Sequence, residues 1–293
     1  MKLATFTHRD ATRIGVVSGE EIVDLRAAAP ELPADMTALL AGGAAALAVA
    51  RKMERAAGHR LRLADVRLEA PVPRPPKFLA IGLNYADHVA ESGMERPALP
   101  IFFNKQTTCV IGTQQPIHLP RVSPLLDYEG ELAFVIGRRC RHVPRDRAHE
   151  VIAGYLVCND VSVRDWQLRT PTMTMGKSFD THGPLGPWLV TPDEIGDPHA
   201  LELRTWVNGE ERQHSNTRQL IFDCFAQVEH LSTAFTLEPG DVVTTGTPGG
   251  VGGAMRPPRF LQPGDVVRIE IEHIGRLENP VIEEPADTAR FEE

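Results

Sequence analysis

The chain lacks any long uninterrupted apolar run. Its most membrane-like stretch, Ala41 to Ala57, is short and carries Arg51, Lys52, Glu54 and Arg55, so it reads as an Ala-rich surface helix and no membrane partner is expected. The opening segment MKLATFTHRD alternates apolar and polar residues where a signal peptide needs a continuous apolar core. A cytoplasmic location is the expectation. Cysteine is sparse: Cys109, Cys140, Cys158 and Cys224 lie far apart, with no C-x-x-C pair and no histidine at zinc-ligand spacing. Buried thiols in a reducing compartment fit that scatter better than a disulfide framework. An excess of positive charge is missing too. With 39 acidic against 31 basic residues the formal charge is −8, which repels phosphate backbones and argues against a nucleic-acid partner.

What is present is an ordinary globular composition, 42% hydrophobic and 24% charged over 293 residues, enough to bury a full core. The first segment alternates in short runs (Lys2 to Phe6, Ile14 to Val17, Glu21 to Leu25) that suggest two or three antiparallel strands. Pro71, Pro73, Pro75 and Pro76 then stop helix and sheet alike. This places a boundary between a small N-terminal β-rich domain, residues 1–71, and a main domain, residues 72–283. A polar tail, 284–293, follows. In the main domain the strand-like runs are Phe78 to Ile81, Leu132 to Ile136, Gly154 to Cys158, Leu203 to Val207, Val242 to Thr245 and Val266 to Ile271. Asn208-Gly209 reads as a hairpin turn, and Pro239-Gly240-Asp241 and Pro263-Gly264-Asp265 each lead into a strand. Short outer helices, such as Arg218 to Thr233, complete a mixed α/β, β-rich body.

The densest acidic signal is Asp127-Tyr128-Glu129-Gly130-Glu131, which runs into an apolar strand. Residues two apart on a strand face one side, so Glu129 and Glu131 project together. They are either a solvated strand start or a pair that needs a cation between them. Asp160 ends a second apolar run and is placed to complete a three-oxygen site, whose chemistry suits Mg²⁺, Mn²⁺ or Ca²⁺ and not zinc. A second constellation lies in Gly82 to Glu91, where His88 and Glu91 share one face if Tyr85 to Ser92 is a short helix. The carboxylate then orients the imidazole as in a water-activating dyad, with flanking Gly82, Gly93 and Pro97 as in a movable lid. The bland alternative is a solvated surface pair.

Arg164 and Gln167 follow Asp160 at helical spacing, and Lys177 comes soon after. The guanidinium either clamps a substrate carboxylate or pairs with surface acids. Finally, Gly240 to Gly252 is a strand entering a glycine-rich loop. It has neither a P-loop ending nor a dinucleotide fingerprint, and it is either an anion-binding loop or merely structural.

Together the motifs GLNYADHVAE, DYEGELAFVIG, NDVSVRDWQ, GKSFDTHGPLGP and GDVVTTGTPGGVG resemble the fumarylacetoacetate hydrolase family, over roughly Pro75 to Val281. The resemblance implies a distorted β-roll with mixed sheets and a homodimer. It implies Mg²⁺ or Mn²⁺, with Ca²⁺ as a third option, on Glu129, Glu131 and Asp160. His88, Glu91 and Lys177 are the implied catalytic residues, and Tyr85, Arg164, Gln167 and Thr247 the substrate contacts. Members of the family act on small oxo acids. The expectation is therefore a hydrolase cleaving a C–C bond of an acylpyruvate or diketo acid by way of an enolate stabilised by the cation, with Thr247 helping to hold the substrate or a developing oxyanion. An oxaloacetate-type decarboxylase or a hydroxymuconate-type isomerase at the same site is the alternative within enzymes. A non-catalytic metabolite-binding homologue is the alternative outside them.

Overall fold

The computed structural model describes residues 1–55 and 58–288. Its centre is a mixed sheet in which the strand Gly130–Ile136 is flanked by Ile152–Asn159 on one side and Val242–Thr244 on the other. Outward past Ile152–Asn159 come Gly183–Val190, Lys2–His8, Ala11–Ser18, Glu21–Asp24 and Arg60–Arg62; past Val242–Thr244 come Phe78–Gly82 and Ile101–Asn104. Most pairings are antiparallel, but Val242–Thr244 runs parallel to Phe78–Gly82. A second sheet orders the strands Glu210–Asn216, Glu202–Val207, Val266–Ile271, Gly275–Glu283 and Ile117–Leu119. The mixed, β-rich architecture expected from the sequence is what the chain adopts.

Alternation along the central strands decides which core each side chain enters. Leu132, Phe134, Ile136, Tyr155 and Val157 pack with Leu203, Ile269, Ile271 and Leu277 of the second sheet. Their neighbours Ala133, Val135, Leu156 and Cys158 point the other way, onto Leu39, Leu40 and Ala50, from the helices Met36–Ala41 and Gly43–Glu54. A strand covered on both faces reads as a continuous apolar run, which is why Leu132 to Ile136 contains no polar residue.

The N-terminal segment is not a separate sheet. Leu3 pairs with Leu189, and Met1, Leu3, Ile14 and Val16 share a core with Leu156, Leu185 and Val242. The prolines near residue 72 end local structure but do not divide the core. The bridging strand Gly183–Val190 has no counterpart in the expected set, because Pro184, Gly186 and Pro187 disguise it. The short outer helix expected over Arg218 to Thr233 begins later, as Cys224–Ala234 capped by Asp223, after a short turn at Thr217–Gln219. The Ala-rich helix ends at Glu54, and residues 56 and 57, like 289–293 of the expected tail, lie outside the described residues. Glu284 is still tied to the body, through its N–H to the Leu119 carbonyl at 3.1 Å. The Asn208-Gly209 hairpin is present, both residues with the positive φ (53° and 80°) that such a turn requires.

His182, fully buried just ahead of Gly183–Val190, makes a pH-dependent contribution to stability. Its Nε2 lies 2.8 Å from the His118 carbonyl oxygen, which can only accept, so Nε2 carries the proton. Nδ1 is buried without a partner among the described residues. Burial pushes the imidazole pKa down from 6.5 to about 3, because the charged ring would bury an unsatisfied proton. A depressed folded-state pKa means that this contribution is complete above pH ~6.5 and is lost as pH falls toward 3. Urea titrations of His182→Asn across this window are expected to show a shallower acid-side loss than the native chain, by up to ~1.4 kcal/mol per pH unit. Identical slopes would remove His182 as the cause.

Candidate metal centre

Strand pairing assembles three carboxylates that are distant in sequence. Gly130 is opposite Asn159 and Glu131 opposite Cys158; one step further out, the Asp160 N–H donates to the Glu129 carbonyl at 2.9 Å. Glu129 and Glu131 face the same side, as residues two apart must. The result is a cluster of Glu129, Glu131 and Asp160 whose ligand atoms lie within 4.8 Å of one another, all three residues buried. Gly130 leaves no alternative at its position, since a Cβ there would stand 2.2 Å from Thr205 Oγ1.

Cations surround two of the three. Lys177 Nζ donates to Glu129 Oε2 at 2.6 Å and to Asp160 Oδ2 at 2.9 Å. Lys105 Nζ, also buried, donates to Asp160 Oδ1 at 2.6 Å and to the carbonyl of Lys177. Arg164 Nη1 reaches Glu129 Oε1 at 2.5 Å. Burial alone would raise the Glu129 carboxyl, but Lys177 and Arg164 outweigh it and hold the pKa at about 2. Glu131 differs: among the described residues it forms no ion pair. Its Oε2 accepts from the Thr244 hydroxyl and from the Gly246 N–H at 2.7 Å. Burial, followed by the charges of Asp160 and Glu129, pushes its carboxyl well above the usual range. An all-oxygen donor set with one carboxylate lacking a counter-charge fits a hard divalent cation, and Glu129, Glu131 and Asp160 would hold it.

The triad opens into a cavity of about 120 Å³ lined by Glu129, Glu131, Arg164, Gln167, Lys177, His88 and Thr247, with an apolar wall that includes Ile81, Phe103 and Met173. His88 sits on the helix Ala86–Ser92, with Nδ1 3.3 Å from Glu91 Oε2. Glu91 also accepts from the Gly250 N–H at 3.0 Å, which ties the helix to the glycine loop. Arg164 and Gln167 open and close the single turn Arg164–Gln167. Gly176 makes that turn's close approach possible, since a Cβ would fall 2.1 Å from the Gln167 nitrogen.

Of the expected substrate contacts, Tyr85 is placed away from the cavity, while Arg164 lines it with donors engaged by the protein. Tyr85 is fully buried and does not line the cavity. Arg164 directs Nε to Asp127 Oδ2 at 2.8 Å and Nη1 to Glu129 and to Gln167 Oε1 at 2.9 Å. Protein groups thus engage Nε and Nη1, while Nη2, 2.8 Å from Asp127 Oδ2, has no hydrogen-bond partner among the described residues. Residues with a clear part in the site went unread in the sequence. Lys105 stands 55 residues before Asp160, so no local spacing could reveal the pair. Asp127 takes hydrogen bonds from the N–H groups of Tyr128, Gly252 and Gly253 at 2.8–2.9 Å and was noticed only as part of an acidic run.

The family model for the C-terminal domain of fumarylacetoacetate (FAA) hydrolase matches residues 77–282. The chain belongs to the fumarylacetoacetate hydrolase family. It is therefore an enzyme by descent, from a family that includes hydrolases, isomerases and oxaloacetate tautomerases. Its similarity to the mitochondrial oxaloacetate tautomerase fahd2 of Xenopus laevis is 43% identity over 288 residues, 96% of this chain and 90% of that one. A manganese(II)- and pyruvate-bound maleylpyruvate hydrolase from Sphingobium sp. SYK-6 superposes with a TM-score of 0.82 at 34% identity, covering 97% and 100% of the two chains. A 5-carboxymethyl-2-hydroxymuconate delta-isomerase from Mycobacterium smegmatis does so with a TM-score of 0.79 at 38% identity, with the same coverage.

Removing one donor tests the centre directly. Glu131→Gln and Asp160→Asn are each expected to weaken Mn²⁺ binding by at least about tenfold in calorimetric titration, since even changes behind the ligands typically cost that much. Native affinity in either variant would exclude that residue as a ligand.

Proposed function

We propose that this enzyme interconverts the keto and enol forms of a small 2-oxo dioic acid, with oxaloacetate as substrate and Mg²⁺ or Mn²⁺ on the carboxylate triad. The observation that carries the reading is the size of the cavity that Glu129, Glu131, Lys177 and His88 share. At about 120 Å³ it is far below the ~300–1,000 Å³ typical of sites for drug-sized ligands, and it suits a compact four-carbon acid. The name of the Xenopus relative supports the same substrate.

A divalent cation in the triad supplies Lewis-acid stabilisation of negative charge on the substrate's oxygens. The chain's own residues supply the rest. Glu91 holds Nδ1 of His88, which leaves Nε2 as the nitrogen that takes the proton from C3. The Lys177 ammonium offsets charge building on the 2-oxo oxygen. Protonation at that oxygen completes the shift; one proton leaves carbon, one arrives at oxygen, and no water is consumed. The apolar wall of Ile81, Phe103 and Met173 keeps water from competing for those charges.

A second reading is hydrolysis of an acylpyruvate, and one feature favours it: the His88–Glu91 pair is equally suited to deprotonating water. The pyruvate and manganese in the Sphingobium structure belong to that chemistry. The two readings separate on products. With Mn²⁺ or Mg²⁺ added, we expect accelerated loss of the oxaloacetate enol absorbance and accelerated deuterium uptake at C3, both slowed about 100-fold or more in His88→Ala. Pyruvate released from acylpyruvates faster than C3 exchange in oxaloacetate would replace tautomerisation with hydrolysis. Rapid CO₂ release would point to decarboxylation instead.

A further inference from the structure

Thr247 meets the cavity with its hydrogen-bonding polarity set by the backbone. Beside it, Gln213 is buried on the strand Glu210–Asn216 and is fixed at both ends of its amide. The Gly130 N–H, which can only donate, meets Gln213 Oε1 at 3.0 Å. The Pro248 carbonyl, which can only accept, takes a hydrogen from Gln213 Nε2 at 2.9 Å. A flipped amide would satisfy neither. The other Nε2 hydrogen goes to Thr247 Oγ1 at 2.8 Å. Thr247 in turn donates its single hydroxyl hydrogen to the Gly130 carbonyl at 3.0 Å. A hydroxyl has one hydrogen and two lone pairs; here the hydrogen and one lone pair are committed, and one lone pair is left. Thr247 lines the same cavity as Glu129 and Glu131, the carboxylates proposed to hold the cation.

From this wiring we propose that Thr247 selects a protonated oxygen: it accepts a hydrogen bond from a ligand hydroxyl, such as the enol of a 2-oxo acid, and Gln213 is the positioning residue that keeps it an acceptor. The proposal rests on reading the cavity as a 2-oxo acid site. Of the two expected roles for Thr247, holding the substrate or a developing oxyanion, it keeps the first and drops the second, because donation to a ligand would require breaking the bond to the Gly130 carbonyl. A bare lone pair beside an oxyanion repels it, whereas a hydroxyl there is held. The polarity therefore favours the enol over the enolate.

Two small probes distinguish the polarities. Glycolate presents a carboxylate and a hydroxyl donor, and oxalate presents the same skeleton with no hydrogen to give. Each is titrated calorimetrically into the full chain loaded with Mn²⁺, and the ratio of the two affinities within one variant cancels any shared change at the cation. Thr247→Val is expected to weaken glycolate about 5-fold, the loss of one net hydrogen bond, and to change oxalate by less than about 2-fold. Thr247→Ser, which keeps the wiring, holds the native ratio. Thr247→Ala, which opens space instead of turning a methyl toward Gln213, gives the same shift as valine and carries the test if the valine variant does not fold. Equal loss of both probes, or a larger loss of oxalate, overturns the acceptor role while leaving the 2-oxo acid reading in place. A native chain that binds Mn²⁺ and neither probe overturns that reading, and the Thr247 assignment with it.

Discussion

Three carboxylates held within 4.8 Å of one another in a buried site are the constraint from which the rest of the molecule's centre follows. Like charges that close in a poorly screened interior cannot all ionise without compensation. The chain cannot relieve the strain by separating them, because Glu129 and Glu131 are locked by one strand and Asp160 by its antiparallel neighbour. Compensation has to be brought in. Lys105 comes from beyond the edge strand Ile101–Asn104, Lys177 from the loop after the Arg164 turn, and Arg164 from that turn itself. Each is long enough to deliver its charge from a distant backbone. Together they leave Glu131 as the member served, among the described residues, by neutral donors, the Thr244 hydroxyl and the Gly246 amide.

That division gives the glycine-rich loop its purpose. Gly246 binds Glu131, Gly250 binds Glu91, and Gly252 and Gly253 bind Asp127. Backbone N–H groups at these four positions thus hold a candidate metal ligand, the partner of the candidate base, and the carboxylate that orients Arg164. Side chains would obstruct two of those approaches, since a Cβ on Gly250 would lie 2.0 Å from the Arg212 carbonyl oxygen and one on Gly252 2.2 Å from that of Arg259. The loop binds carboxylates as the sequence allowed, but they belong to the protein and not to a ligand.

The sequence revealed what is local. Period-two alternation placed Glu129 and Glu131 on one face, i,i+3 spacing paired His88 with Glu91, and Asn208-Gly209 announced its hairpin. The structure gathers Glu129, Glu131, His88, Arg164, Gln167, Lys177 and Thr247 around one cavity, with Asp160 beside the two glutamates. What stayed hidden depends on pairings between distant segments. Lys105 has no sequence mark of its partner, Gln213 gains meaning only from backbone groups at 130 and 248, and Gly183–Val190 joins the N-terminal strands to the central sheet despite a composition that denies it is a strand. Tyr85 shows the converse error. The family resemblance implied a substrate contact, yet the residue precedes the helix and turns its side chain into the interior.

The loop that supports Glu131 also carries Thr247 and, through Glu91, steadies His88, so cation site, hydroxyl acceptor and base are not independent parts. Their relative placement is set by one short stretch of backbone, Gly246 to Gly253, pinned at one end by Asn84 Nδ2 on the Thr245 carbonyl at 2.7 Å and at the other by Asp127. A change in this stretch moves all three together. Changes in the helix Ala86–Ser92 move only the base and the access of water. This separation offers a physical route by which one fold can host enolisation, hydrolysis and isomerisation: the charge-stabilising half stays rigid in the sheet, and the half that chooses which proton or water takes part rides on a short helix. Contacts between the helix and the body include Asp87 on the Ser215 hydroxyl and Glu91 on Gly250. Both are polar contacts made by side chains of the helix, whereas the triad is fixed by backbone pairing within the sheet.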